Sequence, residues 1–123
     1  MHAPDVVILY VDQPPRSAAF YESLLGRPPV EASPGFAMFA LHDGLMLGLW
    51  KRGDVAPAPA GGAGSTELAF TVGDPAAVDA THDAWHAKGL PIAQAPTAMD
   101  FGYTFVALDP DGHRLRVFAP ASA

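Results

Sequence analysis

Residues of the types and spacings that do chemistry are few in this sequence. His82 and His86 stand four apart, with Asp79 and Asp83 beside them. On a helix that spacing places potential metal donors on one face. The helix that carries them is expected to lie on the outer side of a sheet, however, so these residues read as its solvated face. His42 and His113 fall at hairpin turns, where polar residues need no functional reason, and His2 sits in the N-terminal segment. Ser17 and Ser23 lie on a helix with no partnered base in view, which leaves a nucleophilic triad without support. Asp109-Pro110-Asp111-Gly112 invites a calcium-loop reading but lacks the long acidic series and closing Glu of such loops. It reads as a turn. The absence of cysteine removes disulfide and thiolate chemistry and fits a reducing compartment.

Composition narrows the partners. The 123 residues carry a net charge of −6, and the seven Lys and Arg form no run longer than two. A phosphate backbone would be repelled, so nucleic acid is not expected. Half of the residues are apolar (50%), but no unbroken apolar run approaches the roughly 20 residues that span a bilayer. Met1-His2-Ala3-Pro4-Asp5 offers neither a basic start nor an apolar signal core. A cytoplasmic protein without membrane partners is the expectation.

The elements that must position any site come in two similar copies, about 5–51 and 66–119, joined by an Ala-, Pro- and Gly-rich linker at about 52–65. Leu9-Tyr10-Val11 returns as Phe70-Thr71-Val72, and Gly26-Arg27-Pro28 as Gly89-Leu90-Pro91. Ala40-Leu41-His42-Asp43-Gly44 returns as Ala107-Leu108-Asp109-Pro110-Asp111-Gly112, the offset lengthening as small loop insertions would make it. By length, 1–123 is a single domain. In the first copy, 6–11 is a β-rich apolar run. Asp12 is a cap-like acid before Pro14-Pro15, and a helix follows over 16–25 with Phe20 and Leu24 on its stripe, stopped by Gly26. Segments 36–41 and 45–50 form a hairpin around His42-Asp43-Gly44. The second copy repeats this order. A strand covers 67–72, Asp74-Pro75 opens a helix with Val78 and Trp85 buried, and 103–108 pairs with 114–118. Weaker strands are expected near 29–32 and 92–94. The fold class is α+β, two βαβββ repeats.

This pattern resembles the vicinal-oxygen-chelate superfamily, which groups glyoxalase I, extradiol dioxygenases and the bleomycin- and phenazine-resistance proteins. The residues that carry the resemblance are Phe20-Tyr21 with Leu24-Leu25-Gly26, and Asp109-Pro110-Asp111-Gly112-His113 before the last strand. Met99-Asp100-Phe101-Gly102 and Gly48-Leu49-Trp50 are most similar to the phenazine-resistance-like branch. The resemblance implies two half-barrel sheets with a cleft between them, and a homodimer. It also implies four inward strand positions that hold a metal in the metal-dependent members. Here those positions fall on Val6, Gly48, Glu67 and Arg116. Valine and glycine side chains offer no donor, and arginine is a standing cation. No metal and no cofactor are therefore expected.

Strand alternation selects what faces that cleft. Val6, Ile8 and Tyr10, then Met46, Gly48 and Trp50, face inward from the first copy. Glu67, Ala69 and Thr71, then Arg114, Arg116 and Phe118, do so from the second. Phe36 and Met38, and Tyr103 and Phe105, are assigned inward too, although both faces of their strands are apolar. The candidate ligand-binding set is Phe36, Met38, Met46, Gly48, Trp50, Glu67, Met99, Asp100, Tyr103, Phe105 and Arg116, with no catalytic residue. Glu67 and Arg116 occupy positions that converge in the family and would pair, either to orient a ligand or only to satisfy each other. Aromatics stack on planar ligands and Met adapts to irregular ones, so the leading expectation is a binder that sequesters a planar aromatic compound of phenazine type. Two alternatives stand beside it. One is a metal-independent lyase, isomerase or glyoxalase-like enzyme using Glu67 as base. The other is a diverged interaction module.

Overall fold

The computed structural model describes residues 3–64 and 66–121; His2 and Ser65 lie outside them. The chain divides into two compact units, Met1–Gly61 and Gly62–Ala123. Among the described residues each unit carries one α-helix and one four-stranded mixed sheet, the βαβββ order expected from the sequence. No helix among them is long and apolar enough to cross a membrane.

In the first unit, β1 (Val6–Val11) leads into α1 (Pro14–Leu25), then β2 (Glu31–Ser33), β3 (Phe36–Ala40) and β4 (Met46–Lys51). The sheet order is β1-β4-β3-β2, with β1 parallel to β4 and the other pairs antiparallel. Pro14 and Pro15 fit the first helical turn because their missing N–H groups would have no partner there. Gln13 rather than Asp12 is the N-cap, and its side chain makes no capping bond. Gly26 ends the helix at φ 72°, a left-handed geometry natural to glycine. The helix buries Ser17, Ala18 and Tyr21 rather than Phe20 and Leu24, which lie at the margins of the stripe. Leu9, Val11, Ala37, Phe39, Leu47 and Leu49 complete this core. The hairpin between β3 and β4 turns through Asp43 (φ 50°) and Gly44 (φ 80°). Two consecutive positive φ values match the right-handed twist of the strands it joins.

In the second unit, β5 (Glu67–Thr71) leads into α2 (Pro75–Ala87), then β6 (Ile92–Met99), β7 (Gly102–Leu108) and β8 (Arg114–Pro120), in the order β5-β8-β7-β6. Asp74 caps α2, its Oδ1 accepting from the Ala77 amide at 2.8 Å. Val78 and Trp85 are the buried residues of the helix. Trp85 sits edge-on to both Phe70 and Phe105, at 5.6 and 5.5 Å between centroids. β6 is an edge strand with register shifts on both sides of Gln94, and an edge is where Pro96 can be tolerated. The turn at 109–113 is organised by Asp109, whose Oδ1 accepts from the amides of Asp111 and His113, both at 2.9 Å. That carboxylate is occupied in shaping a turn.

Candidate functional site

Each sheet has a helix-covered face and a helix-free one, and the candidate residues separate on that basis. On β1, Leu9 and Val11 are buried while Val6, Ile8 and Tyr10 are 40, 44 and 38% exposed. The register sets Tyr10 beside Trp50 and Trp50 beside Phe36, then Ile8 beside Gly48 and Gly48 beside Met38. A third row runs Val6, Met46, Ala40. Trp50, Phe36, Met38, Met46 and Gly48 therefore share one helix-free surface with Tyr10 and Ile8. Trp50 and Tyr10 meet edge to face at 6.3 Å, 77° between planes. Gly48 has the Phe36 ring against it.

The helix-free face of the second sheet is polar at its centre. Arg116 grips Glu67 bidentately, Nε donating to Oε2 at 2.9 Å and Nη2 to Oε1 at 3.0 Å. Its remaining terminal nitrogen, Nη1, donates to Thr104 Oγ1 at 3.2 Å and to Gln94 Oε1 at 3.4 Å. Thr104 donates its hydroxyl to the Val117 carbonyl oxygen, which leaves an Oγ1 lone pair to accept from Arg116. Phe101 lies 5.6 Å from the guanidinium carbon and meets Phe118 edge-on at 6.0 Å. The two hydrogen bonds from Arg116, aided by its charge, hold the Glu67 carboxyl below its usual range, and partial burial opposes this only in part. The same contact raises Arg116 further above its already high value. Both groups stay ionised across the neutral range, and the pair is close to neutral overall.

Two assignments are corrected. Tyr103 and Phe105 lie on the helix-covered face, not the helix-free one. Phe105 is fully buried against His82 and Trp85 of α2, and Tyr103 donates its hydroxyl to Asp79 Oδ1 at 2.8 Å. That bond raises the tyrosine's pKa. Both faces of β7 are apolar, so composition alone did not decide the parity. The hairpin did: Phe105 stands opposite Val117 and Tyr103 opposite Ala119, and Val117 belongs to the core. Counting back from Val117 across the turn at 109–113 gives this placement. Met99 stands opposite Gly102, with its sulfur 3.5 Å from Gln94 Nε2, and Asp100 is exposed in the turn that follows. Thr104, Gln94 and Phe101 were missed as site residues. Their signal lay in the same parity and in the turn at 100–101.

The positions that hold a metal in metal-dependent relatives do not fit one here. Val6 and Gly48 bring no donor, Arg116 is a cation, and both Glu67 oxygens already accept from Arg116. This donor set cannot make a divalent site.

Two βαβββ units, each with a mixed sheet and one covered face, define a vicinal-oxygen-chelate architecture. The chain belongs to the Glyoxalase/Bleomycin resistance protein/Dioxygenase superfamily, whose sequence profile matches residues 3–117. Among curated proteins it is similar to the phenazine antibiotic resistance protein EhpR of Enterobacter agglomerans, 27% identical over 119 residues, covering 93% of this chain and 89% of that one. A protein of Agrobacterium tumefaciens whose solution structure is known is 52% identical, with a TM-score of 0.90 over 99% of this chain and 100% of that chain. A glyoxalase-related enzyme of Fulvimarina pelagi is 25% identical, with a TM-score of 0.82 over 100% of this chain and 94% of that chain.

Proposed function

We propose that this protein binds a planar aromatic small molecule of phenazine type, without a metal and without converting it, and so serves in resistance. The observation that carries this reading is the row Tyr10, Trp50, Phe36 on a helix-free face. Aromatic side chains that are neither buried under a helix nor fully solvated offer flat, polarizable area to a flat ligand. Met38 and Met46 beside them adapt to its outline. On the second sheet, Glu67, Gln94 and Arg116 are occupied with one another, so the ligand reading rests on the aromatic face of the first sheet alone. The likeness to EhpR supports the ligand class. A carboxylate held below its usual range is a weak proton acceptor, which speaks against Glu67 as a general base. The reading includes a homodimer in the cytoplasm as the working form, to be checked by light scattering.

Titration with phenazine tests it. Binding should quench the fluorescence of Trp50, while Trp85, 8% exposed in a core, should respond little. Trp50→Ala should weaken binding by about 1–3 kcal/mol, taking stacking on an aromatic side chain as the analogue. Unchanged affinity in a folded Trp50→Ala protein would remove the ligand from this face.

A further inference from the structure

One position on the helix-free face of the first sheet has no side chain, and a neighbour has moved into its place. A Cβ at Gly48 would sit 3.3 Å from Cζ and 3.4 Å from Cε1 of Phe36, and 3.4 Å from Cγ1 of Ile8. In the register Phe36 stands opposite Trp50, not opposite Gly48, whose partners are Ile8 and Met38. The Phe36 ring therefore leans diagonally across β4 and rests its tip over the Gly48 backbone. Diagonal neighbours in an antiparallel pair are within reach of aromatic side chains, and an aromatic laid over a strand glycine shields its backbone. A Cβ at residue 48 would press on the tip of the ring and oblige it to give by a few tenths of an ångström. Phe36 is half-buried, so it keeps a surface toward solvent beside Trp50. Positions 48 and 50 are separated by about 7 Å along the strand. Trp50 and Phe36 are register partners on one face, with the Phe36 ring tip beside Gly48.

Resting on the reading of this face as a planar-ligand seat, we propose that Gly48 and the Phe36 ring above it select the length of the ligand. A compound of two fused rings is matched by the Trp50 indole, itself two fused rings, and gains least from Phe36. A third fused ring reaches beyond the indole and lies over Phe36. The seat therefore prefers linear tricyclic aromatics over bicyclic ones. A side chain at position 48 would lift the ring into the space the third ring occupies.

The test uses the full chain, with phenazine as the three-ring probe and quinoxaline as the two-ring probe, each titrated by calorimetry. Gly48→Val should weaken phenazine binding by at least about fivefold, the lower end of a stacking contribution, and weaken quinoxaline binding by clearly less. Phe36→Ala should produce the same selective loss without adding bulk, which covers the case in which Gly48→Val does not fold. Equal losses on both probes, or no loss on either, overturn the proposal while leaving the planar-ligand reading in place. Tighter phenazine binding by Phe36→Ala overturns it too, because the ring would then be a plug rather than a floor. If the wild-type protein binds neither probe, the planar-ligand reading fails and the length selection falls with it.

Discussion

Glu67 and Arg116 sit 49 residues apart in sequence and share two hydrogen bonds. The pair contributes to folding through linkage, and the sign follows from the direction of the shift. Glu67 has its folded-state pKa depressed, so its contribution is fully present above the ordinary carboxylate range. It is lost as pH falls through that range toward the lowered folded value. Glu67→Gln should therefore cost stability at pH 7 and cost nothing once the wild-type carboxylate is protonated in strong acid. The neutral-pH cost should be about 1 kcal/mol, since both side chains keep solvent contact, 33% for Glu67 and 17% for Arg116. Urea unfolding of both proteins across the acid range measures it, and a gap that widens toward low pH would reverse the assignment. Arg116→Lys does not rescue the geometry, because an ammonium cannot make the paired contact of a guanidinium. Sequence reading found both residues through the family positions, and strand parity put them inward. The contacts with Thr104 and Gln94 were not legible, because they depend on β6 slipping its register near Gln94.

Elements decide what a side chain is for, and Phe36 and Phe105 show it. Each stands on the third strand of its repeat, and each was expected to serve ligand. Phe36 is half-buried on a helix-free face, whereas Phe105 is 0% exposed beneath α2. Truncating Phe105 should leave a cavity and cost about 3–5 kcal/mol without touching ligand affinity. Phe36→Ala should cost far less stability and act on the ligand. Denaturant midpoints beside phenazine titrations separate the two, and comparable destabilisation would mean that the faces are misassigned. The hairpin turns were the most legible elements, because their residues are dictated by backbone geometry. Asp43-Gly44 and Asp109 through Gly112 turn where expected. Gly102 was not recognised as special. Its φ of 147° and the overlap that a Cβ would make with the Ala119 carbonyl oxygen both require glycine. Helix starts were legible where a side chain does the capping, as at Asp74, and misread at Asp12, where proline alone sets the start. The short strand Glu31–Ser33 and the long Ile92–Met99 were placed only roughly, since both are edge strands with little apolar alternation.

At the scale of the whole molecule the repeat was the clearest signal in the sequence, and it recurs as two units with the same order of elements. What a repeat does not encode is activity, which rests on a few particular side chains carried by the fold. The metal-ligand positions are one such set. Excess nickel, zinc, manganese or ferrous ion should produce no rise in melting temperature that depends on Glu67, because an ion stabilises only a state that binds it. A saturable rise abolished by Glu67→Gln would restore the metal site. The positions also decide between binder and enzyme. A sequestering protein protects its ligand in proportion to the number of sites and releases it chemically intact. An enzyme turns over a molar excess, and removing its base costs a factor of about 10² or more in rate. Glu67 is held as a weak base by Arg116, so both wild type and Glu67→Gln should return phenazine unaltered after long incubation. Glu67→Gln should shift affinity only modestly. Product analysis by mass spectrometry against the number of sites decides it. Conversion of more than one equivalent per site by wild type, lost in Glu67→Gln, would replace the binder with a metal-free enzyme.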